Sequence, residues 1–250
     1  MNITVNIKLL LILTIGFIIS TVIGTISHEY GHIIVAKYFN YETTLHYGSM
    51  NYFPKGYLED EDVIAVRDLI KDYSDIEYDS WPKDVKERRE EYNNILLKRY
   101  WSEKSNNGLL ITVGGPLQTT LTGTLGLLIL VWRRRFIYKN GLKVLDWLAI
   151  FLSLFWLREI FNLVTSIGAE LISPNGSWFD GDELLISEDL NLWPVTIPLI
   201  LATIGTVIAI YVVFKIIPKK IRLTFILSGC IGGIAGFILW MDIIGPKILP

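Results

Sequence analysis

Five apolar stretches, each close to or longer than the ~20 residues a helix needs to cross a hydrocarbon core, constrain this 250-residue chain more than any other feature. They run from about Ile7 to Ala36, Leu109 to Trp132, about Leu142 to Ile167, Val195 to Ile217, and Leu223 to about Ile244. Stretches so apolar on every side cannot serve as the one-sided helices of a water-soluble domain, and a backbone crossing lipid must satisfy its own hydrogen bonds. The expected fold is therefore an all-α, polytopic membrane bundle of five transmembrane helices with the lipid bilayer as its principal partner. Composition agrees, with 51% hydrophobic residues and positive mean hydropathy. A net charge of −2 says nothing about nucleic acid, and with no basic cluster to suggest that partner none is expected. The single cysteine, Cys230, excludes an internal disulfide.

Composition divides the chain into three parts: residues 1–40 with the first span, a polar insert over 41–107, and spans two to five over 108–250. At 1.5 Å per residue the first run is about 45 Å long, so it tilts or projects from the bilayer. A cleaved signal peptide is disfavoured, because the start is weakly basic and cleavage would sever the polar motif at 28–32 from its anchor. The insert holds fifteen acidic and ten basic residues. Within it, residues 83–101 are expected to be helical, with Pro82 before the start and Val85, Tyr92, Leu96 and Tyr100 on one stripe. Trp81, Tyr100 and Trp101 suit either the headgroup level or packing on the insert. The basic clusters Arg133–Lys143 and Lys219–Arg222 predict an amino terminus inside, with the insert, the 168–194 loop and the carboxyl end outside. Localisation is expected to be multi-pass in the cell membrane.

Two of the three histidines fall in one pentapeptide, His28-Glu29-Tyr30-Gly31-His32, at the end of the first run. On a helix, positions i and i+4 share a face, so both imidazoles can grip one metal ion while Glu29 stands beside it. The site is expected near the interface opposite the amino terminus. A catalytic zinc takes three protein ligands and leaves a position for water, so a third His, Asp or Glu is needed. Asp180 and Asp182, in the Asp180-Gly181-Asp182-Glu183 loop, are the candidates, although an Asp-Gly turn with a capping carboxylate has the same local sequence. His46 lacks helical register with His32. With zinc in place, Glu29 is the expected general base for attack of water on a carbonyl and the donor of the proton to the leaving amine.

Polar residues inside the third run, Arg158, Glu159 and Asn162, are expected to face the bundle or a water-filled cavity, against the first span. Gly229, Gly232, Gly233 and Gly236 are expected to pack the protein's own helices closely. Glycines around Gly114 are expected to be flexible enough for a gate.

Together, His28-Glu29-Tyr30-Gly31-His32 ending the first run, Gly115-Pro116-Leu117 in the second, and the later Asp-Gly element give a chain that resembles the site-2 protease family of intramembrane zinc metalloproteases. The resemblance implies an all-helical core, a buried zinc ion, and hydrolysis of peptide bonds within or beside transmembrane segments of membrane-protein substrates. It also favours Asp182 over Asp180 as third ligand, since Asp182 opens an amphipathic run that stops at Leu192-Trp193-Pro194. The chain departs from the family pattern at Thr119, where an Asn is usual, and at Thr165, where a Pro is usual. It carries a large insert as well. The competing class is a nonenzymatic membrane protein, a metal-binding carrier or scaffold with an inactive metal site, but no internal repeat of a transporter kind is visible.

Overall fold

The computed structural model of the chain describes residues 5–101, 107–173 and 181–250. All five apolar runs are helical, over Ile7–Tyr38, Asn107–Asn140, Val144–Ile172, Thr196–Ile216 and Arg222–Ile248. The chain is an all-α bundle whose five long apolar helices fit a multi-pass membrane protein.

Helix α1 (Ile7–Tyr38) starts where the Asn6 side chain accepts the Leu9 N–H at 3.0 Å, and ends where Asn40 turns to a left-handed φ of 62°. Its outward side exposes Ile7, Leu11, Ile12, Ile15, Ile19 and Ile23, a stripe suited to lipid and not to water. The hydroxyls on its other side are satisfied locally: Thr21 donates to the Phe17 carbonyl and Thr25 to the Thr21 carbonyl. After the insert, α4 (Asn107–Asn140) continues past its apolar run through Arg133–Arg135, until Gly141 at φ 74° closes it. Span three is two helices, α5 (Val144–Ser153) and α6 (Leu157–Ile172), joined by a tight turn. A short helix α7 (Asp182–Asp189) precedes α8 (Thr196–Tyr211), and α9 (Arg222–Ile238) leads into the last, four-residue helix α10 (Gly245–Ile248).

The core lies where α1, α4, α5, α8 and α9 meet, around Phe17, Leu130, Ile150, Val212 and Phe225. Contact between α1 and α9 depends on missing side chains. A β-carbon on Gly232 would lie 2.6 Å from the Thr14 carbonyl oxygen, and one on Gly236 would lie 3.0 Å from the Ile18 Cα. The basic end of α4 is tied down too: the buried Asp146 accepts from Arg133 Nε at 2.6 Å and from the Lys143 N–H at 2.8 Å.

The insert is more structured than its sequence suggests. Strands β1 (Glu42–Leu45) and β2 (Met50–Phe53) form an antiparallel hairpin with Glu42 opposite Phe53, followed by α2 (Glu61–Lys71) and the expected helix α3 (Lys83–Tyr100). Four-residue strands are too short to display an alternating pattern, and so the hairpin left no clear trace in the sequence. Tyr100 and Trp101 pack on Tyr57, which stacks on Phe53, so these aromatic rings hold the insert together. The hairpin is also fastened to the end of the chain, where Trp240 Nε1 donates to the Tyr47 carbonyl at 2.6 Å.

Two outcomes are expected. Gly232→Ala should destabilise the detergent-solubilised protein by about 1–3 kcal/mol, seen as a lower melting temperature. Gly233→Ala, with nothing within 4 Å of its added carbon, should melt like the native protein. In the insert, Arg99 and then Tyr100 hydrogen-bond the Asp60 carboxyl and lower its pKa to about 2. A depressed carboxyl stabilises the folded insert above its ordinary pKa of 3.8, and that contribution disappears as pH falls through about 2. Carbonyl-detected NMR should find Asp60 titrating near pH 2, and at a higher pH in Arg99→Ala, where the hydrogen bond from Tyr100 remains.

Candidate metal centre

His28 and His32 lie one turn apart on α1 and point the same way, both nearly fully buried (1% and 6% exposed). Facing them is Asp182, the first residue of α7. Its Oδ2 lies 2.8 Å from His28 Nε2 and 3.2 Å from His32 Nε2. Gly181, at φ 111°, makes the turn that a side chain would strain, and so sets Asp182 at the helix start. Burial alone raises the pKa of the Asp182 carboxyl. Hydrogen bonds to His28 and His32 outweigh that effect and hold it well below the ordinary carboxylate range. Glu29, 5% exposed, is buried beside these three residues.

The donor set fits a metal. Tetrahedral coordination with bonds of ~2.0–2.2 Å separates ligand atoms by about 3.3 Å, and the three donor atoms here lie within 4.8 Å of one another. The other ring nitrogens are engaged in a way that leaves Nε2 for the ion. His32 Nδ1 is 2.7 Å from the Ile111 carbonyl oxygen, which only accepts, so Nδ1 carries the proton. His28 Nδ1 pairs with Thr119 Oγ1 at 2.9 Å. Such outer contacts fix ring orientation and raise ligand basicity.

Helix α4 supplies both contacts, and Gly115 lies between them. A β-carbon at Gly115 would fall 2.2 Å from His32 Nε2 and 2.6 Å from His28 Nε2, inside the space the ion needs. The crossing itself is equally tight, since a β-carbon on Gly31 would lie 2.3 Å from the Gly114 carbonyl oxygen. These glycines are contact surfaces within a continuous helix, which corrects the expectation of a flexible gate. Thr119, a departure from the family pattern by sequence, is the residue that orients His28.

Helix α7 is held from the side by α6. Asn162 Nδ2 donates to Glu183 Oε1 at 3.3 Å, and both Glu183 and Glu159 are buried. The sequence pointed to none of Ile111, Gly115, Thr119 or Glu183 as part of the centre. The available signal was their spacing: 111, 115 and 119 are i, i+4 and i+8, one stripe of α4. Asp182, the favoured third ligand, is brought to the histidines; the other candidate, Asp180, lies outside the described residues. His46 is elsewhere, donating from Nδ1 to the Pro250 carbonyl at 2.9 Å and accepting from Asn51.

No protein-family pattern, characterised protein or solved structure matches this chain. The class that fold and site define is thus a multi-pass helical membrane protein in which two buried histidines and a half-buried carboxylate form a group able to hold a metal ion.

Gly115→Ala should abolish stoichiometric metal binding while leaving the circular dichroism spectrum unchanged. Thr119→Val should weaken affinity for a divalent transition metal by about 10–100-fold, read by competition with a chromophoric chelator.

Proposed function

We propose that this protein is an intramembrane zinc metalloprotease of the site-2 protease kind, hydrolysing peptide bonds within or next to transmembrane segments of membrane-protein substrates. The observation that carries this is the convergence of His28 and His32 on Asp182, from an element 150 residues away, with a buried glutamate next in sequence to the first histidine. Paired helical histidines and a third carboxylate suit zinc better than harder cations, which prefer oxygen-only sites.

Zinc held by His28, His32 and Asp182 supplies, when bound, a Lewis acid and a water acidified towards neutrality. Glu29 takes the proton from the attacking water and delivers it to the leaving amine, as a general base and then a general acid. The Ile111 carbonyl keeps His32 in the tautomer that presents Nε2, and Thr119 holds the ring of His28 in place through Nδ1. Burial of both imidazoles and of Glu29 strengthens each of these electrostatic interactions. The charge distribution of the loops supports an amino terminus inside, and placement in the cell membrane belongs to the same proposal.

Glu29→Gln should retain zinc and lose at least about 100-fold in cleavage of a single-span peptide library, whereas Asp182→Asn should lose the zinc itself. Metal analysis beside gel-based cleavage measures both. Native-like cleavage by Glu29→Gln would overturn Glu29 as the base, and no cleavage by the zinc-loaded native protein would favour a carrier or scaffold instead.

A further inference from the structure

Between α1, α6 and α9 lies a cavity of about 490 Å³. Most of its wall is apolar, with Phe17, Phe151, Phe161 and Phe237 contributing rings. One edge is polar: Ser20, Thr21 and Thr25 from α1 and Asn162 from α6, reaching Thr119 behind His28. The cavity thus ends at Thr119, on the Nδ1 side of His28.

Among the described residues, Arg158 is the single charged one lining it. No carboxylate among the described residues comes within ion-pairing distance of Arg158, and its Nε is buried without an acceptor. A cation at lipid depth is unfavourable, and one left without an acceptor points to a ligand that supplies acceptors. Field compensation of Glu29 and Glu159, both within its electrostatic reach, leaves those donors unused.

The lining selects the ligand's chemistry. A transmembrane helix that unwinds for cleavage exposes a row of carbonyls without donors and N–H groups without acceptors, with apolar side chains on either side. Arg158 offers only donors, which suit carbonyls. Thr21 and Thr25 use their protons within α1, which leaves their oxygens free to accept N–H groups. The aromatic wall takes the side chains. A bare acyl chain matches the rings but has no use for the hydroxyls. We propose that the cavity binds the unwound, apolar segment of the substrate that flanks the scissile bond, and that Arg158 holds backbone carbonyls of that segment. This rests on the proteolytic function proposed above.

Cys230, the only cysteine of the chain, lines the same cavity and reports on its occupancy. Full-length Glu29→Gln protein, zinc-loaded and in nanodiscs, is mixed with a lysine-flanked Leu/Ala peptide of 20 residues bearing one central cysteine, then treated with a short bismaleimide. A cross-link to Cys230 is expected, absent in Cys230→Ser. Arg158→Gln should lower its yield at limiting peptide at least tenfold, and Arg158→Lys less. Gly233→Phe, which projects a ring into space that is open around Gly233, should abolish it. Zinc content should be unchanged in all of them. Cross-linking unaffected by Arg158→Gln and Gly233→Phe would overturn the assignment. So would loss of zinc or of thermal stability in Arg158→Gln with peptide capture intact, since the arginine is then a charge compensator. If the native protein cleaves peptides yet no cross-link forms, the cavity is wrong and proteolysis stands. If capture follows the pattern above without cleavage by the native protein, the cavity stands and proteolysis fails.

Discussion

The contact of α1 with α4 is the constraint on which the site depends. Two helices approach this closely only where both lack side chains, and Gly31 against Gly114 meets that requirement with backbone nearly on backbone. At that distance α4 does three things along one stripe. The Ile111 carbonyl takes the His32 proton, Gly115 leaves a void at the two Nε2 atoms, and Thr119 pairs with His28. A wider crossing would part the imidazoles from both partners and leave two buried rings free to turn. Pro116 fits the same helix because its missing N–H lies beside a crossing already fixed by its neighbours.

The third donor comes from a separate construction. Helix α7 is only eight residues long and cannot be stable alone, so its place is fixed by tertiary contacts. Asn162 and Glu183 join it to α6, Ser187 accepts the Ile197 N–H at the start of α8, and α7 also packs on α4. The oxygen of Asp182 that meets both histidines is therefore set by the bundle as a whole. The same holds at the opposite end of the molecule, where Asp146 and Arg133 pin α5 to α4.

The spans were legible in the sequence because lipid imposes a length and a composition that few other environments tolerate, and the structure adds only a few residues at their ends. His28 and His32 were legible because their i, i+4 spacing is a local property of one helix. The contacts of those histidines were not, since Ile111 contributes a carbonyl that every residue has, and Gly115 acts through an absent atom. Thr119 carries a usable hydroxyl, but nothing in its neighbourhood tells that it faces His28 91 residues away. The hairpin at Glu42–Phe53 was hidden by its brevity, and its partners Trp240 and Pro250 lie at the far end of the chain.

Arg158 and Glu159 show why a polar pair in the middle of a span need not be a pair in space. Adjacent helical residues point about 100° apart, and here the bundle puts different neighbours in those two directions. Arg158 turns with Asn162, its i+4 neighbour, towards the cavity against α1, whereas Glu159 is buried near Glu183 of α7. One side of α6 thus faces the space where a ligand can lie, and the next supports the helix that carries the metal-ligating carboxylate. Asn162 belongs to both, lining the cavity while it donates to Glu183.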